Sequence, residues 1–482
     1  MIRETFRYMF LRGSINVASL LSLIMVARLM GPEESGKAIL VVSLVAGLSA
    51  LVGFGNDAAL ARFVIKAGRQ LSRYLYHRAL LFLATGLFLN SALLLGARSL
   101  MLLPSEVDKV CFLAIGLIGC YGITSTNVFL LRGAGKLNLT SLLEGANEVG
   151  SRVIGMLAIL LVDPSYVLYL KVQVLIGLLV MIASTWFAYR TVAEMGPDAE
   201  RDVLTDRPPP GYRMFASMSW ANSLVSLLYN NVNVWMLRYL CSALEVGLFS
   251  VANRIPATVV TVVLAPLNVP LLYHLSLAEE RGDEHPRGLA QAVGLLSVVI
   301  GCFSLTVAAV SRWAVPLLFG SAFAGAIPAC MIAAHVPFLM AYQGLINPLL
   351  ASRNRLHFLN LMALLHIAFN ALLNWLLIPT LSVSGASLAL AGGHVVVALV
   401  VGVYLRDVVK GLLKAVVGLY SVYLPCALLI GGAEWAFHSW VLNIALVPLF
   451  PVCALLTRAV DGSFVRAVTK RAWDHLRGMP TA

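Results

Sequence analysis

The chain has 482 residues, of which 60% are apolar and only 12% are charged. Its mean hydropathy of +0.86 excludes a soluble globular protein. The formal net charge of +12 would indicate nucleic-acid binding in a soluble protein. Here the positive charge lies in loops between apolar segments, where anionic lipid headgroups attract it, so no nucleic-acid partner is expected.

Fourteen segments are long and apolar enough to cross a bilayer, since a spanning helix needs about 20 mostly apolar residues. The predicted spans lie at residues 11–30, 37–56, 74–97, 109–131, 139–162, 166–189, 213–237, 246–272, 289–310, 327–350, 357–378, 382–405, 412–433 and 435–456. The sequence therefore predicts an all-α integral membrane protein with fourteen transmembrane helices.

The Lys and Arg residues are distributed unevenly between the two sides of this predicted membrane. Of the 35, 26 fall on one side and 6 on the other, while Arg152, Lys171 and Arg254 lie within spans. Cytoplasmic loops retain Lys and Arg, so both termini are expected in the cytoplasm. We expect a multi-pass protein of the inner (plasma) membrane.

A polar stretch after the sixth span divides the chain. It contains Pro208, Pro209 and Pro210 among charged residues, a composition typical of a linker. The expected organisation is a six-helix lobe at 1–190, a cytoplasmic linker at 191–212, a second six-helix lobe at 213–410, two additional transmembrane helices at 411–457 and a basic cytoplasmic tail at 458–482.

Two pairs of segments have similar sequences at similar spacing. Residues 27–38 resemble residues 237–248, and residues 130–137 resemble residues 349–356. In each pair helix n matches helix n+6, which crosses the membrane in the same direction. This pattern predicts a parallel repeat about an axis normal to the membrane, an arrangement that places a substrate site between two lobes.

Charged residues within the fifth span are candidate functional groups. Glu144, Glu148 and Arg152 recur at i, i+4 and i+8, which predicts one helical face. Arg152 would lie about 20 Å into the span, where a charge costs at least about 2.5 kcal/mol and needs a partner or a water-filled cavity. Two interpretations remain open: a Glu148–Arg152 pair that braces the helix, or a cavity-facing cluster that holds phosphate or sugar.

Other polar residues within spans allow similar alternatives. No acidic residue lies within one helical turn of Arg254 in the sequence, which favours a role in a cavity. Arg28 and Arg238 end spans 1 and 7 at equivalent positions, where snorkelling to the interface is the alternative. Asn231 suits sugar hydroxyls, although interhelical hydrogen bonds explain it as well. Spans 11 and 12 carry further ambiguous residues: His366, Asn370, Asn374 and His394.

The chain resembles the multidrug/oligosaccharidyl-lipid/polysaccharide exporter superfamily, most nearly its polysaccharide or O-antigen (Wzx-type) flippases. Besides the spans and the repeat, the resemblance rests on motifs at residues 27–36, 53–62, 246–254 and 316–323. It implies a two-lobed bundle that alternates access and moves an undecaprenyl-diphosphate-linked oligosaccharide from the cytoplasmic to the outer leaflet for surface polysaccharide biosynthesis. Arginine forks suit diphosphate oxygens. The expected substrate-binding residues are Arg254, Arg152, Arg28, Asn231 and Glu148.

Two other functions remain open. A cation-coupled multidrug exporter of the same superfamily usually has twelve spans and an acidic cavity. A membrane polysaccharide polymerase or ligase would carry a long outer loop with catalytic groups, and the predicted outer loops are short. The seven cysteines show no metal-ligand spacing, and no P-loop or nucleophile elbow is present, so we expect no enzyme activity, cofactor or metal. The expected partners are a polyprenyl-diphosphate-linked glycan, membrane lipids, and a polysaccharide polymerase or other assembly proteins.

Overall fold

The computed structural model of the protein describes residues 2–64, 69–195, 208–260, 287–341, 350, 356–404, 412–437 and 440–457. Within these ranges it describes side chains except at 2–12, 259, 287–293, 356–357, 412–416, 434–437 and 440. The described residues form helices joined by short turns and include no strand, which confirms the all-α class.

The helices follow one another closely along the chain. The first ten that the structure describes are α1 (Ile2–Val52), α2 (Asn56–Val64), α3 (Arg69–Ser99), α4 (Ser105–Asp108), α5 (Cys111–Gly133), α6 (Leu137–Gly145), α7 (Ser151–Leu161), α8 (Tyr166–Glu194), α9 (Tyr212–Leu240) and α10 (Ala243–Val259). The others are α11 (Arg287–Phe319), α12 (Ile327–Ala333), α13 (Val336–Met340), α14 (Leu356–Tyr404), α15 (Leu412–Phe437), α16 (Trp440–Leu446) and α17 (Leu449–Leu456). A π-helical turn, Ala146–Gly150, joins α6 to α7, and a 3₁₀ turn, Ser321–Ala326, precedes α12.

Two of the helices contain two predicted spans each. Helix α1 bends at Gly31, whose φ of 76° is accessible to glycine without a Cβ clash, and Pro32 follows without a backbone N–H. Helix α14 bends at Ser382, which has a φ of 49°. Among the described residues seven helices are long and apolar enough to span a membrane. This number counts α1 and α14 once each, although each of them contains two predicted spans. The chain is a multi-pass membrane protein, and the number fourteen stays a prediction.

Contacts between Cα atoms divide the chain into two compact units, residues 1–247 and 248–482. In the first unit, α2 is packed among α3, α5, α8 and α9 around an apolar core. A buried polar network crosses this unit: the Tyr76 hydroxyl donates to Asn127 Oδ1 at 2.6 Å, and Asn127 Nδ2 donates to Ser184 Oγ at 3.0 Å and Thr185 Oγ1 at 2.9 Å. Hydrogen bonds of this kind join helices where lipid offers no polar partner.

In the second unit, the helices after residue 411 share a core with α11 and α13. Phe338 of α13 stacks on Tyr423 of α15 with ring centroids 3.7 Å apart, and Phe450 of α17 lies edge-on to both rings. Gly301 of α11 allows this approach, because a Cβ there would lie 2.4 Å from the Phe450 ring. The predicted domain boundaries stay a prediction. In the structure the boundary between the two compact units follows residue 247, after the end of α9.

Two glycines allow α1 to approach the start of α10 within the first unit. A Cβ on Gly36 would lie 1.7 Å from the carbonyl oxygen of Ala243, and a Cβ on Gly247 would lie 1.8 Å from the carbonyl oxygen of Pro32. These residues belong to the similar segments 27–38 and 237–248. The two segments therefore meet at a contact between backbones that only glycine permits.

We expect Gly247→Ala to destabilise the protein by about 1–3 kcal/mol, because the added methyl group forces the two backbones apart. The midpoint of thermal unfolding of the purified protein in detergent should fall. Gly96→Ala in α3 is the control, since a Cβ there meets nothing within 4 Å. Alanine replaces glycine favourably in an open helix. Equal stability of the two variants would contradict the close contact.

Candidate functional site

An ion pair within the segment formed by the π-helical turn and α7 is hydrogen-bonded to α1 inside the first unit. Arg152 Nη1 of α7 lies 3.3 Å from Glu148 Oε1 of the π-helical turn. Ser19 of α1 donates its hydroxyl to the same Glu148 oxygen at 2.7 Å. Arg152 Nη1 donates to the Ser19 carbonyl oxygen at 3.1 Å and also contacts the Ser19 hydroxyl oxygen. We call Ser19, Glu148 and Arg152 the polar cluster.

The polar cluster is partly open. The side chain of Arg152 is 16% exposed and that of Glu148 is 37% exposed, so the arginine is held in the wall while the carboxylate has an accessible edge. Tyr121 of α5 lies close enough to interact electrostatically with both charges. Tyr169 of α8 packs on the backbone of α7, where a Cβ on Gly155 would lie 2.7 Å from its ring. The charged and hydroxyl groups of the cluster thus lie near the phenol of Tyr121.

The structure departs from the predicted three-residue face in one respect. Glu144 forms an ion pair with Arg132 near the end of α5, instead of joining Glu148 and Arg152. The π-helical turn between Glu144 and Arg152 changes the helical phase along this span. It also leaves Glu148 facing Ser19, a partner that the sequence analysis did not include.

The remaining candidate residues lie elsewhere. Arg28 is exposed on α1, about 13.5 Å along the helix from Ser19. Asn231 is half-buried on α9 and donates its amide to the Leu227 carbonyl oxygen at 2.9 Å. Arg254 is half-buried on α10 and belongs to the second unit. The structure therefore brings together Glu148 and Arg152, and the substrate-binding role of all five residues stays a prediction.

Arg238 at the end of α9 has a carboxylate partner that the sequence analysis missed. Its guanidinium binds both oxygens of Glu106 on α4, with Nη2 at 3.1 Å from Oε1 and at 3.0 Å from Oε2. The Tyr166 hydroxyl donates to the Glu106 carbonyl oxygen at 3.2 Å, and the Tyr166 amide donates to Glu34 at 2.9 Å. This chain of contacts, the outer network, joins α1, α4, α8 and α9 on the side that the predicted topology places outside.

The charge of Glu106 is stabilised by this network. Burial raises the pKa of Glu106, but hydrogen bonds from its own backbone and from Arg238, together with the charge of Arg238, lower it more. The pKa therefore lies below the ordinary glutamate value of 4.5. A carboxyl group with a lowered pKa stabilises the folded state above its ordinary pKa, and that contribution is lost as the pH falls through the folded-state value.

The ambiguous polar residues of spans 11 and 12 form a buried ladder within α14. Asn374 donates to Asn370 at 2.8 Å, Asn370 lies 3.5 Å from the His366 ring, and the rings of His366 and His394 are 4.4 Å apart. All four residues are at most 1% exposed. Their burial favours a role in bracing the two halves of the bent helix over contact with a substrate.

No group of three potential metal ligands occurs among the residues that the structure describes. The cysteines are free. The polar cluster itself has one carboxylate and one hydroxyl beside a cation, a set that suits an anionic or hydroxyl-rich ligand better than a metal ion.

Comparisons with known proteins agree with this architecture. Residues 1–273 match the model of a family described as "Polysaccharide biosynthesis protein". No curated protein sequence matches the chain significantly. The solved structure of the lipid II flippase MurJ in an inward closed conformation has a TM-score of 0.69 at 11% identity, over 96% of this chain and 100% of that chain.

Solved structures of MOP superfamily transporters match a smaller share of this chain than the MurJ structure does. An inward-facing multidrug resistance MATE family transporter has a TM-score of 0.56 at 16% identity, over 84% of this chain and 99% of that chain. A MOP superfamily transporter from Pyrococcus furiosus has a TM-score of 0.55 at 15% identity, over 84% of this chain and 94% of that chain. At these identities the comparison shows the fold, which is that of MOP superfamily transporters.

We expect Glu106→Gln to lower the stability of the detergent-solubilised protein by about 1 kcal/mol at neutral pH, because Arg238 loses a partly buried partner. The difference from the unmodified protein, measured by thermal unfolding, should shrink as the pH falls below about 4.5, where Glu106 gains a proton.

The matched control is Asp108→Asn on the same short helix, whose ion pair with Arg98 is more exposed. It should change stability by less than about 0.5 kcal/mol. Equal effects of the two substitutions, or a Glu106→Gln effect that is constant with pH, would contradict the role given to the outer network.

Proposed function

The chain belongs to the polysaccharide biosynthesis protein family, and from this premise we propose that it is a flippase for an undecaprenyl-diphosphate-linked oligosaccharide. The substrate would move from the cytoplasmic to the outer leaflet of the inner membrane by alternating access. Such a substrate has three chemically different parts: an anionic diphosphate, a glycan rich in hydroxyl groups and a long hydrocarbon chain. The described part of the protein offers a matching environment for each.

The observation that carries the proposal is a large apolar cavity in the second unit. Its volume is about 760 Å³, and its walls come from α12, α13, α14 and α15. Apolar side chains such as Leu388, Val395 and Leu424 dominate the lining. The polar exceptions include His335 and Tyr423, which are hydrogen-bonded to each other, with 2.7 Å between His335 Nδ1 and the Tyr423 hydroxyl oxygen. A cavity of this size and character suits a hydrocarbon chain.

Helix α15 is essential to that cavity. Val417, Tyr420, Leu424 and Leu428 of α15 all line it. This helix is the first of the two spans that the sequence places beyond a six-plus-six repeat. A transporter with only twelve spans would lack this helix, which supports a flippase over a twelve-span drug exporter.

The polar cluster of the first unit suits a diphosphate or a glycan. All contacts of Arg152 within the described part of the chain use Nη1. A guanidinium carries five N–H groups, so Nε and Nη2 are available to donate to phosphate oxygens. The exposed edge of Glu148 can accept hydrogen bonds from sugar hydroxyls. Arg28, Asn231 and Arg254 are proposed as further contacts to the diphosphate and glycan.

Cation-coupled multidrug export is the second candidate. The similarity of the fold to MATE family transporters favours it. The partly exposed carboxylate of Glu148 could serve a cation in that mechanism. The two candidate functions require different side chains of the polar cluster. Export of a cation depends on the carboxylate of Glu148, whereas flipping of a diphosphate depends on the guanidinium of Arg152.

We expect Arg152→Ala to reduce export of surface polysaccharide by about 10- to 100-fold, the loss that follows from removing hydrogen bonds between a cation and a charged ligand. Arg152→Lys should retain part of the activity, because a point charge cannot make the two-pronged contact. The measurement is restoration of surface polysaccharide in a strain that lacks the protein, with membrane levels read in parallel.

The double variant Glu148→Gln/Arg152→Gln separates substrate binding from bracing. It removes both charges and keeps polar groups facing Ser19, so the protein should accumulate normally while export stays low. A merely structural pair predicts that the double variant restores export together with protein level. Lys171→Ala, at an exposed cation in the sixth span, is the control and should export normally. Full export by Arg152→Ala would contradict the proposal.

A further inference from the structure

A second cavity lies in the first unit, away from the polar cluster. It has a volume of about 410 Å³ and is formed where α1 passes into α2, against α3 and the first turns of α9. Its lining residues are Phe54, Asn56, Arg78, Phe82, Tyr212, Arg213, Ala216, Ser217 and Trp220. We call it the Arg78 pocket. Arg78 and Arg213 lie in segments that the predicted topology places at the cytoplasmic surface.

The backbone between α1 and α2 shapes one wall of this pocket. Phe54 and Gly55 both have positive φ, 48° and 72°. A Cβ on Gly55 would lie 2.0 Å from the Ala216 carbonyl oxygen, so this turn rests directly on α9. The Phe54 ring thereby lies between two other rings. Its centroid is 6.3 Å from that of Phe82 and 5.9 Å from that of Trp220. The wall is built from packed aromatic rings.

The polar groups of the pocket are donors of hydrogen bonds. Arg78 lies over the Phe82 ring, with its guanidinium carbon 5.0 Å from the ring centroid. The buried Nε of Arg78 makes no hydrogen bond within the described part of the chain, and neither does the hydroxyl of Tyr212, a residue only 1% exposed. Buried polar atoms are nearly always paired in folded proteins, so these two donors indicate a ligand that accepts hydrogen bonds.

The charge of the pocket is positive. Two arginines line it, and none of the lining residues that the structure describes is Asp or Glu. The nearest acidic residue in sequence, Asp57, accepts instead from Thr126 Oγ1 at 3.2 Å, on the α5 side of α2. Two guanidinium groups and a phenol hydroxyl converge on one concave surface, and Asp57, which interacts electrostatically with Tyr212, is not among the described residues that line it. This arrangement suits a phosphate group, whose oxygens accept several charged hydrogen bonds at once.

We propose that the Arg78 pocket binds the phosphate of a membrane lipid headgroup at the cytoplasmic surface, through Arg78, Arg213 and Tyr212. Two kinds of lipid carry that group: a polyprenyl diphosphate and an anionic phospholipid. The aromatic wall beside the arginines contacts the part of the headgroup next to the phosphate. The proposal does not depend on the flippase function, because the pocket would bind phosphate whatever the chain transports.

The test is protection of arginines from phenylglyoxal in the full-length protein, purified in a maltoside detergent that contains no phosphate. The rate of modification of each arginine is read by peptide mass spectrometry. Inorganic pyrophosphate, phosphatidylglycerol or dioctanoylglycerol is added in separate arms. Pyrophosphate or phosphatidylglycerol should slow modification of Arg78 and Arg213 by about tenfold, as expected for charged hydrogen bonds. Arg73, exposed one turn away on α3 and outside the pocket, is the internal control.

Two variants establish that the pocket residues act together. Arg213→Gln and Tyr212→Phe should each weaken the protection of Arg78 while the protein elutes as the same monodisperse species. Protection by pyrophosphate alone would identify a diphosphate as the ligand, and protection by both would identify a general phosphate headgroup. Protection by dioctanoylglycerol, equal slowing at Arg73, no slowing at all, or unchanged protection in both variants would overturn the proposal.

Discussion

The interaction on which the structure depends is the neutralisation of Arg152 within an apolar helix bundle. A guanidinium at that depth is tolerated only with a partner or with water, and the structure supplies Glu148 one turn away and Ser19 from another helix. The pair is not fully enclosed, since the Glu148 side chain is 37% exposed. A charge that is neutralised by the protein and still reachable from outside it can bind a ligand and be restored when the ligand leaves.

Other contacts of the first unit follow the same rule. The Tyr76–Asn127 pair and the Glu106–Arg238 pair each join helices through polar groups that lipid could not satisfy. The outer network and the Gly36–Ala243 contact lie on the side that the predicted topology places outside. One is an ion pair and the other is a contact between backbones.

Local features of the fold could be predicted from the sequence, and distant contacts could not. Apolar run lengths predict the spans, the break between the first two predicted spans coincides with the bend at Gly31, and i, i+4 spacing predicts the Glu148–Arg152 pair. Ser19 lies 133 residues from Arg152, and Glu106 lies 132 residues from Arg238. No periodicity links residues so far apart; only the packing of helices does. The π-helical turn that contains Glu148 and the positive φ of Phe54 likewise arise from tertiary packing, which overrides local preference.

The most direct measurement of the central claim is transport by the purified protein in liposomes that contain an undecaprenyl-diphosphate-linked saccharide. A membrane-impermeant glycosidase added outside cleaves only the saccharides exposed in the outer leaflet. The account predicts that the protein makes the inner-leaflet saccharides accessible as well, and that liposomes with the Arg152→Ala variant resemble liposomes without protein. Saccharides that stay protected in the presence of the unmodified protein, with uptake of a cationic dye in the same liposomes, would contradict it.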